Sequence, residues 1–65
     1  MLTELNNITK GTQLVRTDGT RFKVVDIYKP NGEVEKLLLE TYFTKKVKDI
    51  KANTIKRNYT LWDNL

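Results

Sequence analysis

Cysteine, histidine and serine are absent from this chain, proline occurs once and glycine three times. Without thiol, imidazole or seryl hydroxyl there is no cysteine or serine nucleophile, no Ser-His-Asp constellation, no imidazole base and no zinc site of thiolates or imidazoles. Acid–base chemistry would fall to Asp, Glu, Lys or Tyr alone. Each of the three isolated glycines is explained by a turn, so no glycine-rich phosphate loop is formed. Glu33 and Glu35 have the separation of a strand-face carboxylate pair, the arrangement a two-carboxylate hydrolase uses. They directly follow a turn, where solvated acids are routine, and no base, oxyanion donor or cleft assembles around them. The expectation is a protein that is not an enzyme and carries no cofactor and no metal. No apolar run approaches the ~18 residues of a membrane span, and no basic-then-apolar start resembles a secretory signal, so no membrane is expected and the expected setting is the cytoplasm. The triplets Asn7-Ile8-Thr9 and Asn58-Tyr59-Thr60 have the form of glycosylation acceptors, but six Asn and nine Thr produce such matches by chance.

A chain of 65 residues buries only about 60% of the surface its unfolded form exposes. With 38% apolar and 31% charged residues a core is feasible but thin, and neither disulfide nor metal is there to reinforce it. The expected organisation is one domain, 1–65, with residues 1–11 as a lead-in. Met1, Leu2, Leu5 and Ile8 in that lead-in have helical spacing; they are read as a lid over one end of the domain, with a partner-binding helix as the alternative.

Turn chemistry supplies the clearest structural signal. Asp18-Gly19 lies between Thr12–Thr17 and Arg21–Ile27, two runs of β-branched and aromatic residues, which predicts an antiparallel hairpin through a type I′ turn. Lys29-Pro30-Asn31-Gly32 predicts a second reversal. Residues 33–43 fit helix or strand imperfectly. At 100° per residue Val34, Leu37, Leu38 and Tyr42 cluster, but Phe43, Val47 and Ile50 fall on another face. The consecutive Leu37, Leu38 and Leu39 suit a bent strand that is apolar on both sides, and the strand is preferred. A fourth strand over Lys46–Ile50, a single helical turn from Asn53 as N-cap through Lys56, and a fifth strand over Tyr59–Trp62 complete the pattern.

Lys10-Gly11-Thr12, the Asp18-Gly19-Thr20 hairpin, Phe22-Lys23-Val24-Val25-Asp26-Ile27, the Asn31-Gly32 turn and a short turn before Tyr59-Thr60-Leu61-Trp62 together resemble an SH3-like small β-barrel. More narrowly, the pattern resembles the short accessory proteins of bacteriophages and prophages that carry such barrels. The resemblance implies a mainly β fold, a five-stranded SH3-like small barrel with a short helical turn before the last strand. It departs from eukaryotic SH3 peptide binders, in which an acidic loop faces a groove of paired aromatics; polyproline binding is not implied.

Charge is distributed unevenly. Between Thr44 and Arg57 stand Lys45, Lys46, Lys48, Lys51, Lys56 and Arg57 with Asp49 as the only acid, a net charge of +5, whereas the rest of the chain has six bases and seven acids. Such a segment beside Tyr42, Phe43, Tyr59 and Trp62 has the composition used for phosphate contact and base stacking. Arg21 and Lys23 share a strand parity opposite Phe22 and Val24, so they project outward and extend the basic surface. Lys46 and Lys48 share parity with Ile50, which leaves their orientation open. Phe22, Tyr42 and Trp62 are assigned to the core, because so thin a domain cannot spare large side chains; Tyr28 and Tyr59 are left open. DNA or RNA, held through phosphate contacts, is the expected partner. Two alternatives stand beside it: a host protein docked through an open barrel edge or an aromatic patch, and a lysine-rich edge kept only for solubility and against edge pairing.

Overall fold

The computed structural model describes residues 5–62. The Asp18-Gly19 signal joins β1 (Gln13–Arg16) to β2 (Arg21–Tyr28), but not through the expected turn type. A type I′ turn needs positive φ at both central residues, and among the described residues Lys45 is the only non-glycine with positive φ. The loop is instead the three residues Thr17-Asp18-Gly19: the Gly19 amide donates to the Arg16 carbonyl and the Arg16 amide to the Thr20 carbonyl, both at 2.8 Å. Gly19, at φ +92°, supplies the left-handed residue that follows a type I turn in loops of this length. Asp18 braces it from outside. Its carboxylate accepts from Arg16 Nε (3.1 Å), Arg16 Nη2 (2.9 Å) and the Thr20 amide (3.0 Å).

β3 (Lys36–Thr41), β4 (Val47–Lys51), α1 (Ala52–Asn58) and β5 (Tyr59–Leu61) follow in the chain. The five strands form one antiparallel sheet in the order β4-β3-β2-β1-β5, in which the last strand returns to pair with the first. The fold is therefore mainly β with one short helix before the last strand, and residues 36–41 form a strand rather than a helix. No ladder joins β4 to β5 among the described residues, so the sheet is open.

The bend expected in the third strand occurs in the second. The register between β2 and β3 shifts between Val24 and Asp26, so Val25 is the extra residue of a bulge, a device that bends and twists a strand. Unbroken alternation from Phe22 and Val24 would aim Asp26 at the core and Ile27 at solvent. The bulge reverses that parity: Asp26 is exposed, and Ile27 packs against the core opposite the fully buried Leu37. Of the three consecutive leucines, Leu37 and Leu39 face the core, while Leu38 lies on the outer face between Asp26 and Asp49. The core comprises Leu14, Phe22, Val24, Leu37 and Leu39 from the sheet, Ile55 from α1, Tyr59 from β5, and Leu5 and Ile8 from the lead-in. Met1 and Leu2, part of the same expected lid, lie outside the described residues.

α1 differs from the predicted turn in length and in its start. It spans seven residues; its N-cap is Lys51, which makes no side-chain capping bond, and Asn53 lies inside the helix. β4 runs straight into α1, so the cap position falls to the last strand residue whatever its side chain. Seven residues with neither a side-chain cap nor an acid in the first turn do not form a stable helix alone. Tertiary anchors hold it: Ile55, its only buried residue, and a bond from the Ala52 amide to the Glu35 carbonyl (2.9 Å). Among the described residues no helix is long and apolar enough to cross a membrane.

Candidate nucleic-acid interface

The outer face of the sheet is assembled around Arg21. Alternation on β2 aims Phe22 inward and Arg21 outward, and strand ends on both sides bring an aromatic ring to its guanidinium. The Tyr42 amide, one residue beyond β3, donates to the Arg21 carbonyl (2.9 Å), and the Trp62 amide, one beyond β5, donates to the Gln13 carbonyl (3.0 Å). The guanidinium carbon lies 4.3 Å from the Tyr42 ring centroid and 3.9 Å from that of Trp62. A planar cation between two ring faces at such distances is a favourable stack. Nη2 donates to Gln13 Oε1 (3.3 Å), while Nε is buried without an acceptor among the described residues.

Aromatic contact continues outward. Phe43 meets Tyr42 edge-on at 5.4 Å and is 76% exposed, and Lys45 Nζ stands 5.4 Å from the Tyr42 ring. Both residues belong to the loop Tyr42-Phe43-Thr44-Lys45, closed by the Lys45 amide donating to the Thr41 carbonyl and the Thr41 amide to the Lys46 carbonyl. Lys45 takes the left-handed conformation there, at φ 63°. On the far side Trp62 borders a cavity of ≈ 490 Å³ lined by Gly11, Thr12, Gln13 and Arg21.

Two of the aromatic assignments made from the sequence are therefore corrected. Tyr42 and Trp62 are not core; the buried rings are Phe22 and Tyr59, which meet edge-to-face at 5.5 Å. The register decides it. Leu37 and Leu39 face inward, so Lys36, Leu38, Glu40 and Tyr42 share the outward parity; Tyr59 and Leu61 face the core side of β1, which turns Thr60 and Trp62 outward. Treating Leu38 as the outward member of its triplet would have placed Tyr42 correctly from the sequence.

Arg21 and Lys45 meet at Tyr42, and Lys46 follows in the same loop. Lys46 is exposed, and Lys48 is too, although it lies opposite Leu39 on the core-side parity. β4 is the outermost strand of the sheet, so side chains on its core-side parity stand at the margin of the core: Lys48 is exposed there and Ile50 half-buried, with no bulge in the pairing to β3. Lys51 ends β4 opposite Lys36, and strand spacing sets it about 16 Å from Lys46. Lys56 and Arg57 lie on the last turn of α1, where cations suit the helix C-terminus. Lys23 is half-buried and paired with Glu40 at 3.8 Å.

Ion pairing separates these bases. The described residues form four salt bridges: Lys10–Asp26, Arg16–Asp18, Lys23–Glu40 and Lys36–Asp49. Exposed pairs of this kind add little stability; their consequence is which charges stay unanswered. Asp49, the only acid of the basic segment, is engaged by Lys36 from β3. None of Lys45, Lys46, Lys48, Lys51, Lys56 and Arg57 takes part in a salt bridge among the described residues. Glu33 and Glu35 are exposed and precede β3 rather than sharing a strand face. Among the described residues no group of three or more His, Cys, Asp or Glu side chains is placed to hold a metal ion. Comparison with protein families, with curated proteins and with solved structures finds no match to this chain.

Proposed function

We propose that this chain is a non-enzymatic accessory module of the phage or prophage type, an SH3-like small barrel that binds nucleic acid along the β4 edge of the sheet, which carries Lys45, Lys46, Lys48 and Lys51, with Arg21 and its two rings on the adjoining outer face. The strand order supports the barrel reading: four strands in succession, a short helix, and a fifth strand returning to the first. The binding reading rests on one observation, the six bases of residues 44–57 that no carboxylate neutralises among the described residues.

Fluorescence anisotropy with short labelled oligonucleotides over a salt series tests this. The logarithm of the binding constant should fall linearly with the logarithm of salt. Replacing Lys45, Lys46 and Lys48 together by Gln should flatten the slope by about 2 to 3 and weaken all sequences alike. Lys10→Gln, at a base already paired with Asp26, should change little. No binding of duplex or single strand at ~50 mM salt and tens of micromolar protein, where non-specific binders register, would remove the proposal. Docking on a host protein through edge strand β4, with Phe43 and Val47 exposed beside it, would then take its place.

A further inference from the structure

We infer that this surface selects single-stranded over duplex nucleic acid, with an unpaired base stacked on Phe43 and a second on the outer side of Trp62, an inference that rests on the nucleic-acid reading above. Lysines by themselves do not discriminate, since both forms present phosphates. Rings do. A base inside a duplex has both faces covered by its neighbours, whereas an unpaired base offers a π-face to any aromatic side chain.

Trp62, Arg21, Tyr42 and Phe43 form one continuous run of ring, cation, ring and ring on the outer face, at successive separations of 3.9, 4.3 and 5.4 Å. Arg21 fills the interior of that run, so the places left for a base are its two ends. At one end Phe43 is 76% exposed at the tip of the β3–β4 loop, with Lys45, which has no salt bridge among the described residues, two residues on. At the other, Trp62 borders the ≈ 490 Å³ cavity formed with Gly11, Thr12 and Gln13, a volume within the ~300–1,000 Å³ range of small-ligand clefts. The β3–β4 loop, inserted as a ribbon into a major groove, would also carry Lys45 to DNA. That mode favours duplex and makes no use of a ring stack.

Trp62 is the only tryptophan of the chain, so its intrinsic fluorescence reports on one end of the run without a label. The full-length chain is titrated with an oligo-dT of about 12 nucleotides and with a duplex of about 12 base pairs at the same salt, a length within the site sizes of single-strand binders. The oligo-dT should quench Trp62 and bind about tenfold tighter than the duplex. Phe43→Ala should weaken oligo-dT binding by about tenfold and duplex binding by less than about twofold, while Phe43→Tyr, which keeps the ring, should retain oligo-dT binding. Phe43 is exposed in the β3–β4 loop and is not part of the core cluster, and far-UV circular dichroism verifies that the variants fold. Equal affinity for both ligands, or a Phe43→Ala effect that is equal on both, overturns the single-strand inference and leaves the basic surface standing. Absence of binding to either ligand overturns both.

Discussion

Ile55 anchors α1 to the core. It is fully buried and is the only buried residue of α1. Ile55→Ala removes three carbons, at ~0.8 kcal/mol each for transfer from water, and leaves a cavity between helix and sheet that a packed core closes only in part. The expected cost is about 3 to 4 kcal/mol. A domain of this length has a total stability of roughly 3 to 10 kcal/mol, so one side chain accounts for a large fraction of it. The melting temperature should fall on the order of 12–30 °C, at ~4–8 °C per kcal/mol for so small a domain. Ile55→Val, which removes one carbon, should cost about 0.5–1.5 kcal/mol. Thermal and urea unfolding, followed by Trp62 fluorescence and far-UV circular dichroism, measure both variants. α1 also carries β5 back to β1, so amide exchange in Ile55→Ala should quicken at Trp62, whose amide bonds the Gln13 carbonyl, more than at Val24 in the middle of the sheet. An Ile55→Ala protein within about 1 kcal/mol of the parent would refute the argument that this contact anchors the helix.

Gly19→Val should destabilise by about 1–2 kcal/mol through backbone strain alone, because φ there is +92° and an added Cβ meets nothing within 4 Å; an unchanged unfolding midpoint would refute it. The Arg16 guanidinium, with the Thr20 amide and hydroxyl, holds the Asp18 carboxyl well below the ordinary value of 3.8. A depressed folded-state value means that the hairpin brace is fully present above about pH 3.8 and is lost as pH falls below it toward the folded-state value. A carboxyl-carbon NMR titration should therefore find Asp18 still ionised at about pH 3, and a midpoint at or above 3.8 would contradict the geometry.

Much of the strand pattern is legible because its signals are short-range. A glycine that must take positive φ, and Pro-Asn-Gly in a turn, constrain the chain within a few residues, and alternation then places Phe22 and Val24 inward with Arg21 and Lys23 outward. The choice of strand over helix for residues 33–43 followed from the failure of a single helical face. The N-cap was misplaced for the converse reason. Asn53 has the right chemistry, but β4 extends to Lys51 and so sets where α1 begins, and strand extension depends on a partner far along the chain.

The concentration of bases in residues 44–57, the lack of thiol, imidazole and seryl hydroxyl, and the positions of the turns belong to the primary structure, since each follows from composition or from neighbouring residues. Three matters were settled only by tertiary structure. The bulge at Val25 keeps Asp26 out of the core, because the register between β2 and β3 is fixed by where the leucines of β3 must be buried. Tyr59 rather than Trp62 or Tyr42 completes the core, because pairing with β1 sets the parity of β5, and the parity of β3 turns Tyr42 outward. Asp49 pairs with Lys36, thirteen residues away in sequence but on the adjacent strand, so that among the described residues none of the six bases of residues 44–57 has a salt bridge. Each of these depends on which strand lies beside which, and no window of neighbouring residues carries that information.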